Sequence, residues 1–182
     1  MGSLFKRNNA FINCKKTSCL DFSDKIHLTS IQYLNFMIKQ IRHTGIVVQN
    51  LEKCLAFFID YLGFEVEREM EERGPFLDSI LGLNKAIVKT VKIKATDGSM
   101  LELLKFKSHK VDAETSWKGE IYSTGLTHIA LTVENIDELY DSLCSNGIVF
   151  NSPPQISPDG YAKVTFCRGP ENLFLELVEV IG

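Results

Sequence analysis

The sequence lacks features that would assign it to several broad classes. It contains no uncharged apolar stretch of about 18 residues, so no transmembrane helix is predicted and no membrane partner is expected. It contains no Cys-x-x-Cys pair, which disfavours a thiolate zinc site. Basic residues show no surplus, since 20 lysines and arginines face 23 aspartates and glutamates. Nucleic acid is therefore not an expected partner.

The five cysteines are odd in number and widely scattered, at Cys14, Cys19, Cys54, Cys144 and Cys167. This usage favours free thiols in a reducing, intracellular setting, and we expect a cytoplasmic protein.

The N-terminal region differs in charge from the rest of the chain. Residues 1–40 carry six bases and two acids, whereas residues 41–182 carry fourteen bases and twenty-one acids. Arginine is scarce there and no apolar core precedes a small-residue cleavage site, which disfavours a targeting peptide. We expect residues 1–40 to be an extension that is poorly ordered or peripheral, in which residues 28–39 could form a short amphipathic helix.

The remainder of the chain contains an internal repeat. Residues 41–66 and residues 126–150 each read as a strand, a helix and a strand, and aligning His43 with His128 also aligns Asn50 with Asn135. Each asparagine stands where a helix begins and is predicted to cap it through its side-chain oxygen.

Each copy ends in two further strands separated by a turn. They are predicted at 87–95 and 100–106 in the first copy and at 162–167 and 173–180 in the second. The sequence thus predicts an α+β fold of two βαβββ modules, 41–106 and 125–181, joined by a linker at 107–124. An extra stretch at 74–84 is predicted to form a short helix or lid.

Four polar residues occupy equivalent places in these apolar strands. His43 and His128 lie near the start of the first strand of each copy, and Glu102 and Glu176 lie in the last strand. A buried carboxylate must be paired, protonated or bound to a metal. Imidazole and carboxylate ligands suit Zn, Fe, Ni, Mn or Co. We predict that the two modules bring all four residues together around one divalent metal.

Three other polar residues lie near the last hairpin, at Tyr161, Lys163 and Arg168. They are candidates for binding an anionic substrate, and the alternative for each is a solvated strand face.

The motifs RHTGIVVQNLEKCLAFFIDYLGF, SMLELLKF, LTHIALTVENIDELYDSL and GPENLFLELVE resemble the vicinal oxygen chelate superfamily, also called the glyoxalase/bleomycin-resistance/dioxygenase superfamily. The resemblance covers residues 40–181. It implies a U-shaped mixed sheet around a divalent metal, with His43, Glu102, His128 and Glu176 as ligands. This ligand pattern is similar to that of bacterial-type glyoxalase I, a lactoylglutathione lyase, with Ni or Zn favoured.

The resemblance also implies a reaction. A small-molecule substrate with two neighbouring oxygens would chelate the metal, and a carbon-bound proton would be removed by way of an enediolate. Glu176 would be the catalytic base, and Glu102 could act as the base on the opposite face of the substrate. The alternatives are an Fe(II)-dependent dioxygenase on the same fold and a metal-free protein for small-molecule binding or resistance. A homodimer is expected, and the sequence leaves open whether one chain or two chains form each site.

Overall fold

The structure, a computed structural model, describes residues 39–110 and 119–182. The chain divides into two units, Met1–Gln40 and Ile41–Gly182. The predicted extension and its amphipathic helix lie almost wholly outside the described residues. The predicted linker is described only in part.

The first module runs through a strand, a helix, a second strand, an inserted helix and a hairpin. Its elements are β1 (Thr44–Val47), α1 (Leu51–Ala56) continuing into a π-helical turn (Phe57–Tyr61), β2 (Glu65–Arg73), α2 (Pro75–Leu81), β3 (Ile87–Lys94) and β4 (Met100–Phe106).

The second module repeats this order without the inserted helix. Its elements are β5 (His128–Thr132), α3 (Ile136–Ser145), β6 (Val149–Phe150), β7 (Gln155–Ile156), β8 (Ala162–Arg168), a 3₁₀ turn (Pro170–Asn172) and β9 (Phe174–Val180). Among the helices of the described segments, none is long and apolar enough to cross a bilayer.

The strands form two mixed sheets. Sheet A has the order β1-β4-β3-β2, and sheet B has the order β5-β9-β8-β6 with β7 also paired to β8. In each sheet the first strand pairs in parallel with the last, while the other pairs are antiparallel. The predicted α+β class with two related modules is therefore confirmed. Strand β6 of module 2 has two residues, whereas the corresponding strand β2 of module 1 has nine.

The two helix starts are built differently. The side chain of Asn50 accepts a hydrogen bond from the backbone N–H of Lys53 at 2.9 Å, as predicted. The prediction that Asn135 caps α3 in the same way is wrong, because its backbone is left-handed (φ 52°) and its side chain makes no cap bond. The carboxylate of Glu179 instead accepts the N–H groups of Asn135 and Ile136 at 3.0 and 3.4 Å. A carboxylate at this position is favoured by the helix dipole.

One hydrophobic core is shared by the two modules. Module 1 contributes Leu101 and Leu103 of β4, and module 2 contributes Leu175 and Leu177 of β9 together with Ile136 of α3. Four of these five side chains are 0% exposed, and Leu101 is 6% exposed. The modules therefore pack through the faces of their sheets that also carry α1 and α3, and this burial provides the main driving force for folding.

A polar contact also links the modules. The carboxylate of Glu171, in the turn before β9, accepts the backbone N–H groups of Gln49 and Asn50 at 2.9 and 2.8 Å. These N–H groups precede α1, so a turn of module 2 holds the entry to the helix of module 1.

The face of each sheet opposite the shared core is called here its outer face. Successive side chains of a strand point to opposite faces. Glu102 lies between two core residues of β4, and Glu176 lies between two core residues of β9. Both carboxylates therefore belong to the outer faces.

Helix α2 covers one end of the outer face of sheet A. Its Leu77 is buried and belongs to a second apolar cluster with Val88, against which Leu104 and Phe106 of β4 pack. The predicted extra stretch thus contains a short helix on the same face as Glu102, toward the end of β4 that holds Phe106.

Candidate metal centre

The first candidate half-site consists of His43 and Glu102. His43 immediately precedes β1, and Glu102 lies in the parallel neighbour β4. The Nε2 atom of His43 is 3.0 Å from the Oε2 atom of Glu102, and the two side chains are 28% and 14% exposed. The register of the first and last strands of the module creates this pair.

The second half-site repeats this arrangement in module 2. The Nε2 atom of His128, the first residue of β5, is 3.3 Å from the Oε2 atom of Glu176 in β9. The other ring nitrogen of His128 is 3.0 Å from the hydroxyl of Thr127. The ring of His128 also contacts Phe166 edge-on, with 5.4 Å between the ring centroids.

Both pairs have a spacing that suits a shared metal ion. Two ligand atoms about 2.1 Å from one ion lie about 3.0 Å apart at a right angle and about 3.4 Å apart at the tetrahedral angle. The observed separations are 3.0 and 3.3 Å. Imidazole nitrogen and carboxylate oxygen are suitable donors for a divalent transition metal. The same spacing also serves an ion pair when the imidazole is protonated, so the geometry fits a metal without requiring one.

The two half-sites do not form one cluster within the chain. Among the described residues, no group of three or more His, Cys, Asp or Glu side chains is placed to hold a metal ion. The physical reason is the shared core, because sheets A and B pack through their core faces and their outer faces are directed away from that core. Within the described residues of one chain the four predicted ligands therefore lie as two separate pairs. Their joint role as ligands of one metal stays a prediction.

The half-site in module 1 has an unsatisfied atom. The Nδ1 atom of His43 is buried and has no hydrogen-bond partner among the described residues. Leaving such a group unpaired costs about 1–3 kcal/mol. Within the described residues His43 therefore lacks the kind of partner that Thr127 supplies to His128.

Comparison with known proteins identifies the family. The profile of the Glyoxalase/Bleomycin resistance protein/Dioxygenase superfamily matches residues 40–177, which is most of the chain. The chain belongs to this superfamily.

Relatives within the glyoxalase superfamily include proteins with and without an assigned activity. The uncharacterized protein YwkD of Bacillus subtilis (strain 168) is 33% identical over 146 residues, covering 79% of this chain and 98% of the relative. The lactoylglutathione lyase of Schizosaccharomyces pombe (strain 972) is 26% identical over 143 residues, covering 76% of this chain. The match spans only 47% of the yeast protein.

Solved structures of the superfamily share the fold. A glyoxalase family protein from Bacillus cereus matches with a TM-score of 0.73 and 22% identity, over 82% of this chain and 99% of that chain. The fosfomycin resistance protein FosX from Listeria monocytogenes, solved with Mn(II) and sulfate, matches with a TM-score of 0.55 and 16% identity, over 80% of this chain and 95% of that chain. The superfamily therefore includes enzymes and proteins that bind divalent metals.

Of the three residues predicted to bind substrate, Arg168 lies nearest to a half-site of this glyoxalase-superfamily chain. It ends β8 and pairs in register with Phe174, two residues before Glu176 on the same face. Its guanidinium carbon lies 4.0 Å from the centre of the Phe174 ring, and its Nη2 atom is 3.6 Å from the carboxylate of Glu120. The aromatic ring and the carboxylate hold this cation beside the half-site.

The other two predicted substrate residues lie elsewhere. Lys163 pairs in register with Glu179 on the core face of sheet B, and its ammonium forms an ion pair with Asp137 of α3. Tyr161 is 62% exposed and precedes β8. It is five residues from Phe166, or about 16 Å along an extended strand. These placements favour Arg168 over Lys163 and Tyr161, and all three substrate roles stay predictions.

Two residues next to the carboxylates were not predicted from the sequence. Lys92 of β3 stands directly opposite Glu102, and Phe166 of β8 stands directly opposite Glu176. The observed pairing of β3 with β4 is symmetric about Asp97, which places Lys92 and Glu102 five residues on either side of it. A turn centred between Asp97 and Gly98 would instead pair Lys92 with Leu103, so the sequence pattern alone does not give this contact.

Proposed function

We propose that this protein is a divalent-metal-dependent lyase or isomerase of the glyoxalase type. Its substrate would be a small molecule with two neighbouring oxygens, from which a carbon-bound proton is removed. The observation that carries the proposal is the pair of His–Glu half-sites with separations of 3.0 and 3.3 Å at equivalent strand positions. A lactoylglutathione lyase among the relatives and Mn(II) in FosX support it.

The proposal requires a second copy of the chain, because each chain presents its half-sites separately. In a two-fold dimer, the His43–Glu102 pair of one copy would face the His128–Glu176 pair of the other, which completes two equivalent sites. Two observations support this two-chain arrangement. β1 and β5 are edge strands of their sheets. The apolar Val47 of β1 is 50% exposed on the outer face.

The residues of the half-sites have distinct tasks in this proposal. One divalent ion, with Ni, Co, Zn, Mn and Fe as candidates and Ni or Zn favoured, would supply Lewis acidity toward the two substrate oxygens. Glu176 is the general base and must come within about 2.6–3.2 Å of the carbon-bound proton or act through one water. Phe166 beside it restricts the access of water. Arg168 provides a cation for an acidic group of the substrate.

The free thiols of Cys54, Cys144 and Cys167 support a reducing, cytoplasmic setting for this reaction.

The decisive experiment combines metal analysis with an activity assay. Purified protein is examined by elemental mass spectrometry before and after reloading with Ni²⁺, Co²⁺, Zn²⁺ and Mn²⁺, and Glu102→Gln serves as the control. We expect one metal per site, lost in the variant, and turnover of a glutathione hemithioacetal or a related 2-hydroxy carbonyl compound.

Other results of this experiment would replace the proposal. Tightly bound iron together with oxygen uptake would indicate a dioxygenase. Protein that binds no metal after reloading would refute the proposal and indicate a small-molecule binding protein.

A further inference from the structure

The two carboxylates of the half-sites have different neighbours. The Oε2 atom of Glu102 lies 3.0 Å from Nε2 of His43, while its Oε1 atom lies 3.3 Å from the Nζ atom of Lys92. The lysine side chain is 23% exposed and the glutamate side chain is 14% exposed, so this pair is substantially shielded from solvent. One oxygen of Glu102 therefore faces the histidine while the other is held by a cation.

The corresponding position in module 2 holds an aromatic ring. Phe166 pairs in register with Glu176, as Lys92 pairs with Glu102. Within residues 39–110 and 119–182, no lysine or arginine forms an ion pair with Glu176, and its recorded ion pair is with His128. The repeat thus places a carboxylate with a cationic neighbour in one half-site and a carboxylate with an apolar neighbour in the other.

We infer that Lys92 is a positioning residue that makes Glu102 the permanent carboxylate ligand and leaves Glu176 as the exchangeable one. This inference rests on the proposed function. Partners that hold a ligating side chain fix its orientation and strengthen metal binding. Lys92 restrains Glu102 in this way, so that Oε2 stays directed toward the same space as Nε2 of His43. Within the described residues Glu176 has no cationic partner of this kind, so its carboxylate would be freer to turn from a bound metal toward the substrate proton.

The test measures metal binding rather than turnover. Co²⁺ is the probe, because its visible absorption spectrum reports the ligand set, and affinity is measured by titration of the full-length protein. Lys92→Met removes the charge at similar length, and Lys92→Arg retains it. Lys94→Met is a matched control, since Lys94 lies two residues along β3 on the same face and pairs with Glu67 instead.

We expect Lys92→Met to weaken Co²⁺ binding about 10- to 100-fold and to change the Co²⁺ spectrum. Lys92→Arg should restore most of the affinity, and Lys94→Met should match the wild type. Glu102→Gln should lose more affinity than Glu176→Gln. Circular dichroism verifies folding, and Lys92→Gln replaces Lys92→Met if the latter unfolds.

The outcomes separate the inference from the proposed function. Wild-type protein that binds no Co²⁺ would refute both. Wild-type binding with an unchanged affinity and spectrum in the neutral Lys92 variant would overturn the inference and leave the proposed function standing. Equal losses in the two glutamate variants would refute the division of roles between Glu102 and Glu176.

Discussion

The two-chain arrangement can be tested by combining two inactive variants. The first variant loses the half-site of module 1 through His43→Ala and Glu102→Gln. The second loses the half-site of module 2 through His128→Ala and Glu176→Gln. Alone, each variant forms no complete four-ligand site, whichever chains contribute the ligands.

Mixing the variants distinguishes sites formed within one chain from sites formed between two chains. Only a site between two chains can combine the intact half-site of one variant with the intact half-site of the other. Random exchange of equal amounts yields about half mixed dimers, and each mixed dimer has one intact site out of two in a two-fold assembly. Metal binding and activity should therefore recover to about one quarter of the wild-type values. Sites formed within one chain would give no recovery.

The assay refolds the two variants together from urea and follows metal content and lyase activity. Native mass spectrometry, with one variant carrying a mass tag, counts the mixed dimers directly. Each variant refolded alone is the control. Mixed dimers that are present without any recovered metal binding would refute the two-chain arrangement.

Three further predictions concern stability and reactivity. Leu103→Ala should lower the free energy of unfolding by about 2–5 kcal/mol, measured in urea, because this core side chain is 0% exposed. Glu171→Ala should lower it by about 1 kcal/mol, since two backbone N–H groups lose their acceptor. Burial raises the pKa of the Cys54 and Cys167 thiols to about 12. Near pH 8 a thiol reagent should thus label exposed Cys144 but neither of them. Because the folded pKa values are raised, the contribution of these two thiols to the free energy of unfolding is fully present below the pKa of an unfolded thiol, about 8.5. This contribution is lost as the pH rises through the folded pKa values.

Each of these predictions has a matched control. Leu126→Ala removes a leucine that is 74% exposed and should change stability by less than about 0.5 kcal/mol. Glu134→Ala removes an exposed glutamate and should have a similarly small effect. The thiol assay is performed with Cys14→Ser and Cys19→Ser so that only the three described cysteines are counted. Labelling of the buried thiols in folded protein, or equal effects of Glu171→Ala and its control, would contradict the packing described here.

The order of strands and helices along each module was predictable because it depends on local patterns. Alternating side chains indicate which residues of a strand share a face, whereas the exact pairing across a hairpin depends on the length of its turn. The repeat then relates His43 to His128 and Glu102 to Glu176. A pattern of this kind shows which side chains share a face of one sheet.

The sequence did not show how the two sheets face each other. Apolar residues flank Glu102 and Glu176 on both sides, so periodicity alone is compatible with outer faces that converge within one chain or point apart. The cap at Asn135 failed for a related reason. Glu179 is 44 residues away in sequence, and only the folded sheet brings its carboxylate to the start of α3.

The shared core has a consequence for communication between the two sites of a dimer. In the two-chain arrangement, Glu102 and Glu176 of one chain belong to different sites, yet their strands meet in the same core through Leu103 and Leu177. Close-packed interiors transmit small displacements rather than absorb them. If the proposed sites bind metal, a shift of one carboxylate on loading would be passed to the strand of the other, and the two sites should load cooperatively rather than independently.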